Sequence, residues 1–343
     1  MFSATLVNWY QENKRDLPWR KTINPYKIWL SEIILQQTRV IQGLPYYTSF
    51  ITNFPTVNAL ANAPEEKILR LWQGLGYYSR AKNLHKCAKI VVDQFQEKFP
   101  TTYDSLLKLP GIGPYTAAAI ASFCYHQPIA VVDGNVYRVL SRIGGITTDI
   151  SSPQGVREFK ALANVLIDHQ NPDSYNQAIM EFGALQCIPK KPSCPICPLK
   201  NTCFAYLHQE QHTLPVKLKK TKIRNRFFYY LVITINNKIV MNARKGKDIW
   251  QGLYDFPVYE SEKRVDIEKA LTVLLKDVNS YVIDNISEEY KHILSHQHIY
   301  GRFIKINITN NDLELNRQSF SIEEIIELPK PILINNYLNQ YIF

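Results

Sequence analysis

From Asn8 to about Leu207 apolar residues recur every three and four positions, and Pro, Asn or Gly punctuates the segments, a spacing that predicts a succession of α-helices. No strand-like alternation persists over that stretch. After Gln211–Arg226, a polar and basic segment with a single Pro215, the pattern changes to short β-rich runs, FFYYLVITI (227–235) and KIVMNAR (238–244), parted by Asn236-Asn237. One helix is predicted around Asp266–Lys276 and one strand through Tyr300–Ile308, so the C-terminal part reads as a small α+β unit. The expected organisation is a helical domain over 1–210, a basic connector over 211–226 and an α+β domain over 227–343. A length of 343 residues agrees with two domains.

Hydrophobic residues make up 45% of the chain and charged residues 20%, which excludes a disordered or fibrous protein. No run approaches the roughly 18 apolar residues of a membrane span, and the N-terminus lacks a basic stretch followed by an apolar one. The expectation is a cytoplasmic protein without a membrane partner. Forty Lys and Arg face 30 Asp and Glu, a net charge of +10 that favours a polyanionic partner. Residues 1–216 carry 21 basic and 15 acidic groups, 217–226 carry 6 and 0, and 227–343 carry 13 and 15, so the basic character lies in the first part and the connector. The connector reads either as a solvated linker or as a phosphate contact.

Four of the six cysteines, Cys187, Cys194, Cys197 and Cys203, form a C-x6-C-x2-C-x5-C array within seventeen residues. A chain of this size without a secretory leader has no need of disulfides, so four thiolates point to metal. Only one tight C-x2-C pair is present. The wider flanking spacings suit a 4Fe-4S cluster better than zinc, which stays as the alternative. Lys190, Lys191 and Lys200 stand in or beside the loop.

Between the helix-like stretches Tyr103–Lys108 and Tyr115–Ala121 lies Leu109-Pro110-Gly111-Ile112-Gly113. Gly111 and Gly113 permit φ > 0 and expose backbone N–H groups at a helix start, a phosphate-binding nest, although such a turn is also common as punctuation. Two acids stand in contrasting surroundings. Asn24 and Pro25 open an apolar helix on which Glu32, Gln36 and Arg39 fall at i, i+4 and i+7, a polar stripe that reads either as a solvated face or as a functional one. Set among Trp29, Ile33 and Leu35, the Glu32 carboxyl is expected to be desolvated and protonated. Asp133 opens the helix from Gly134 as an N-cap, where the helix start favours the anion. Two carboxyls pushed apart in this way are the pairing that glycosyl cleavage uses.

The strings LPWR (17–20), SEIILQQTR (31–39), WQGLGYYSRAKNLHK (72–86), LPGIGPYTAAAIASF (109–123), VVDGNVYRVLSR (131–142) and NQAIMEFGALQC (176–187), with the four cysteines, resemble the helix–hairpin–helix DNA glycosylases that carry an iron–sulfur cluster, and within them the adenine DNA glycosylases of the MutY family. The resemblance covers essentially the whole chain. It implies a mainly α helix–hairpin–helix glycosylase region with an iron–sulfur loop at 187–203, followed by an α+β Nudix-like domain. It implies base-excision repair of adenine opposite 8-oxoguanine or G in double-stranded DNA, by a monomer. Glu32 matches the residue that protonates adenine N7, and Asp133 the carboxylate that stabilises the cationic sugar, with Asn135 and Tyr115 supporting them. Trp19, Arg20, Leu35, Gln36 and Gln177 resemble the residues that bind the flipped adenine, and Gln37 and Tyr77 the groups inserted around the lesion. Gly111 and Gly113 match the backbone-contacting hairpin.

Where endonuclease III relatives carry a nucleophilic lysine this chain has Tyr115, which implies a monofunctional enzyme. Trp250-Gln251-Gly252-Leu253-Tyr254-Asp255-Phe256-Pro257 is similar to a motif of the Nudix-like domain, and Ser295-His296 to its 8-oxoguanine-reading turn. Leu294 and Gln297 depart from the usual neighbours of that turn. No R-E-x-x-E-E pattern follows Asp255, so recognition without pyrophosphatase activity is implied. The rival readings are an endonuclease III-like bifunctional lyase and a non-enzymatic zinc protein that binds DNA.

Overall fold

The computed structural model describes residues 2–218, 223–235, 237–276, 278, 280–308 and 318–343; positions 219–222 of the predicted connector and Asn236 of the predicted turn lie outside them. The helices in chain order are α1 (Phe2–Asn13), α2 (Pro25–Leu35), α3 (Val40–Asn53), α4 (Val57–Ala61), α5 (Glu65–Leu71), α6 (Ser79–Phe95), α7 (Tyr103–Leu106), α8 (Pro114–Tyr125), α9 (Gly134–Gly144), α10 (Pro153–Leu166), α11 (Pro172–Leu185) and α12 (Phe204–Leu207). By contacts the chain divides into two units, Met1–Asn62 with Asn83–Lys219, and Ala63–Lys82 with Lys220–Phe343. A stretch inside the expected 1–210 domain therefore groups with the C-terminal residues. Its ties are long-range: Glu66 accepts from Tyr254 Oη (2.8 Å), Arg70 Nε donates to the Ile326 carbonyl (2.9 Å), and Gln73 Oε1 accepts from Lys330 N (3.0 Å).

Start signals in the sequence set the helices of the first unit. The Asn24 side chain accepts from Lys27 N with Pro25 at the first helical position, and Thr102 caps α7 through Ser105 N. Helices α1, α9, α10 and α11 enclose one core, in which Leu6, Val139, Leu140, Phe159, Ile179 and Phe182 are buried. Helix α2 packs on α8, whose run Ala117–Ala121 is buried. The α7–α8 turn holds Gly111 at φ 76°, and a Cβ there would stand 2.8 Å from Asn83 Cβ, so both conformation and space require glycine.

The second unit contains β1 (Arg224–Ile235), β2 (Lys238–Val240), β3 (Asn242–Ala243), β4 (Tyr254–Asp255), β5 (Val258–Ser261), α13 (Ile267–Leu274), β6 (Tyr281–Ile286), β7 (Tyr290–Ile293), β8 (Gln297–Ile308), β9 (Ser319–Phe320), α14 (Ile322–Glu327) and α15 (Ile332–Tyr341). The sheet runs β6-β8-β1-β2-β9, with β5 also on β1 and β7 on β8, while β3 and β4 form a separate ribbon. The predicted 238–244 run is thus two short strands in two sheets. β1 and β8 pair in parallel from Arg224↔Gln297 to Ile233↔Ile306. The unbroken apolar text of β1 reflects two covered faces. Tyr229, Leu231 and Ile233 pack with Ala270 and Leu271 of α13, and the alternate residue Tyr230 stacks on Phe303, itself stacked on Tyr337 of α15 at 3.9 Å. Among the described residues no helix is long and apolar enough to cross a membrane.

Candidate active site

The first unit contains a cavity of about 530 Å³ lined by Trp19, Arg20, Glu32, Leu35, Tyr115, Asp133, Asn135 and Gln177, among others. Eight predicted site residues, drawn from the Pro18–Arg20 turn and from α2, α8, α9 and α11, therefore meet at one place. Glu32 lies on α2 at 7% exposure, and the Tyr115 hydroxyl is its hydrogen-bonding partner. Burial pushes the Glu32 carboxyl up to about 7, reinforced by the neighbouring Asp133 charge and opposed by Tyr115 and Arg20.

Asp133 caps α9 as its position predicts. Oδ1 accepts from Asn135 N and Val136 N, and Oδ2 from Asn135 Nδ2, each at 2.8 Å. Burial raises this carboxyl too, while the Val136 and Asn135 hydrogen bonds and the Arg138 charge pull it back. The helix start is visible in the text; the desolvation comes from packing. What separates the two acids is the donor set: three N–H groups aim at Asp133, and one hydroxyl at Glu32.

The polar stripe is not formed. Helix α2 ends at Leu35, Gln36 turns extended at ψ 113°, and Gln37 sits exposed at φ 56°. Gln36 Nε2 donates to Thr116 Oγ1 (3.3 Å), and neither glutamine lines the cavity, whereas Arg39 does although it lies beyond the helix.

Two residues that sequence reasoning missed hold the wall together. Glu181, with a fully buried side chain, takes Arg15 (Nη2, 2.6 Å) and Arg20 (Nη2, 2.7 Å) on Oε2, and both arginines also bond Oε1 at 2.8 Å. Burial alone would raise this carboxyl, but the hydrogen bonds from Arg20 and Arg15 hold it down at about 2. Glu181→Gln is expected to cost about 3 kcal/mol in urea unfolding at pH 7, since two guanidiniums lose their counter-charge. Because the folded carboxyl titrates below its ordinary value of 4.5, this stability is complete above that value and disappears as pH falls through about 2. The gap between variant and parent therefore narrows in acid. Tyr10 Oη donates to Gln177 Oε1 (2.8 Å) and so fixes that side chain.

The second missed residue is Arg138. It donates to Asn135 Oδ1 (2.8 Å), the Gly183 carbonyl (2.7 Å) and the Cys187 carbonyl (2.7 Å). A Cβ on Gly183 would meet Asn135 Cβ at 2.6 Å, so glycine lets α11 approach the site. Cys187, Cys194, Cys197 and Cys203 line a second recess with Arg142, whose Nη1 lies 3.4 Å from Cys187 Sγ and 2.8 Å from the Ile188 carbonyl. Among the described residues no three Cys, His, Asp or Glu converge closely enough to hold a single metal ion. Four thiols around one recess are the donor set of a thiolate-held metal group.

Gly113 precedes Pro114 at the start of α8, so the hairpin N–H groups open onto a helix N-terminus. Tyr77, Ser295 and His296 lie in the second unit and are no part of the cavity. Tyr77 is exposed at φ 48°, and its hydroxyl donates to Ser295 Oγ. Ser295 and His296 are the exposed tip of the β7–β8 hairpin, closed by Leu294 N to the Gln297 carbonyl at 2.8 Å.

Residues 30–164 match the HhH-GPD superfamily of base excision DNA repair proteins, and residues 228–340 match the NUDIX domain. The adenine DNA glycosylase of Buchnera aphidicola subsp. Baizongia pistaciae is 37% identical over 340 residues, spanning 97% of this chain and 95% of that protein. The adenine DNA glycosylase from B. aphidicola subsp. Schizaphis graminum is 38% identical over 304 residues, 88% of this chain and 85% of that one. A solved thermostable thymine-DNA glycosylase is 28% identical with a TM-score of 0.56, covering 60% of this chain and 95% of its own.

Proposed function

The chain belongs to the adenine DNA glycosylase family, the DNA N-glycosylases of base excision repair, and from that premise we propose that it hydrolyses the glycosidic bond of adenine mispaired with 8-oxoguanine or G. The observation that carries this reading is one cavity holding a carboxyl displaced to about 7 beside a carboxylate capped by three N–H donors. Neutral Glu32 donates its proton to adenine N7, so the base leaves uncharged. The Asp133 anion stabilises the oxocarbenium-like sugar and helps a water add to it. Asn135 aims that carboxylate, and Tyr115 holds Glu32. The adenine has to leave the duplex, because neither acid can reach a stacked nucleotide. Trp19, Arg20, Leu35 and Gln177 then surround it.

Among the described residues no lysine lines the cavity, and position 115 is a phenol. That absence of an amine nucleophile supports a monofunctional enzyme over an endonuclease III-like lyase. Borohydride should trap no covalent enzyme–DNA adduct, and strand scission should need alkali; a trapped adduct contradicts this.

Gly111 and Gly113 contact phosphate, Gln37 and Tyr77 enter the stack, and Ser295 with His296 reads the base opposite the adenine. Ser295→Ala should reduce the preference for 8-oxoguanine over G by about threefold to tenfold, the worth of one hydrogen bond. A 4Fe-4S cluster is the proposed cofactor, which Cys187, Cys194, Cys197 and Cys203 would hold through their thiolates; when bound it would supply a rigid anchor for the loop. Iron analysis with visible absorption should find a brown protein that Cys197→Ser bleaches, and a colourless zinc protein would refute the assignment. We propose that the enzyme acts as a monomer.

A further inference from the structure

We infer that Gln297, gripped by Arg226, is a positioning residue that sets the Ser295-His296 turn and thereby the discrimination between 8-oxoguanine and G; this rests on the proposed reading of that turn. The tip is two residues long, and its geometry is fixed at its base. Arg224 N of the adjacent strand β1 donates to the His296 carbonyl (3.0 Å), and Leu294 N to the Gln297 carbonyl (2.8 Å). At the tip the Tyr77 hydroxyl donates to Ser295 Oγ, and at the base, among the described residues, Arg226 Nη1 donates to Gln297 Oε1 at 3.3 Å.

Arg226 is held unusually firmly for a residue with so small an apparent task. Its side chain is 8% exposed, bonds both oxygens of Asp248 (2.6 and 3.1 Å), pairs with Glu260, and lies 4.9 Å over the Phe228 ring. Arg244 shares Glu260 (2.6 Å) and takes the buried Asp255 (2.7 Å). A network of two guanidiniums and three carboxylates gains little net stability over an apolar core, because desolvation offsets the attraction. What it does supply is a fixed direction for each guanidinium N–H. One of those N–H groups points at the amide that begins β8, two residues after Ser295.

The test uses the full-length protein and single-turnover rates for adenine opposite 8-oxoguanine and opposite G. Gln297→Leu removes the acceptor and leaves the ion network whole. It should lower the ratio of the two rates by about threefold to tenfold, with the rate opposite G near that of the parent. Gln297→Glu restores an acceptor for Arg226 and should restore the ratio. An unchanged ratio in Gln297→Leu, an equal fall in both rates, or a Glu variant as poor as the Leu one would overturn the inference, provided Ser295→Ala does lower the ratio. If Ser295→Ala leaves the ratio unchanged, the reading of the turn itself fails, and the inference fails with it.

Discussion

Asp133→Asn should lower the single-turnover rate of adenine release by about a factor of a thousand, while the protein still folds and binds duplex DNA. Asparagine is as good an N-cap as aspartate, so Asn135 N and Val136 N keep an acceptor and α9 keeps its start. What the variant loses is the anion. With its oxygen on those two backbone donors, the amide also places its single N–H₂ group where Oδ2 stood, against the Asn135 side-chain donor. A rate measurement beside a gel-shift titration separates the two effects. Turnover close to that of the parent would remove Asp133 from the chemistry.

Glu32→Gln is expected to lower the rate by about a hundredfold to ten-thousandfold, the contribution of a positioned general acid. The parent should be most active with Glu32 protonated, so base release declines as pH rises through about 7, and the variant should lack that limb. Stability falls with rising pH as well. The folded carboxyl holds its proton more tightly than the unfolded one, so the folded state binds more protons between the ordinary value of 4.5 and about 7, and stability falls with rising pH across that window. Above it the parent carries a buried, poorly solvated anion that glutamine removes. Thermal melts at pH 8 should therefore show the inactive variant to be the more stable protein, a trade of stability for function.

Much of this site is written locally in the sequence. A capping residue followed by proline marks the start of α2, an aspartate after an apolar run marks α9, and the two hairpin glycines mark the turn before α8, because each signal acts within three or four residues. The four cysteines are legible for the same reason. The supports of the site are not. Arg15 and Glu181 meet across 166 positions, and Arg138 reaches Cys187 across 49, so only the packed helices bring them together. The end of α2 at Leu35 also escapes periodicity, since the apolar and polar spacing continues through Gln36 and Arg39 while the backbone turns away. The grouping of 63–82 with the C-terminal unit is likewise invisible to a composition boundary drawn at the basic segment. Burial is the recurring gap: the text places Asp133 at a helix start, and only the cavity shows that its carboxyl is also pushed upward.

The central claim is adenine excision opposite an oxidised or normal guanine. Its most direct test is single-turnover base release from four otherwise identical duplexes with adenine opposite 8-oxoguanine, G, C or T, each treated with and without alkali. Alkali-dependent scission confined to the two purine partners, faster opposite 8-oxoguanine, is the predicted result. Tight binding with no release from any adenine duplex, or scission without alkali, would contradict it.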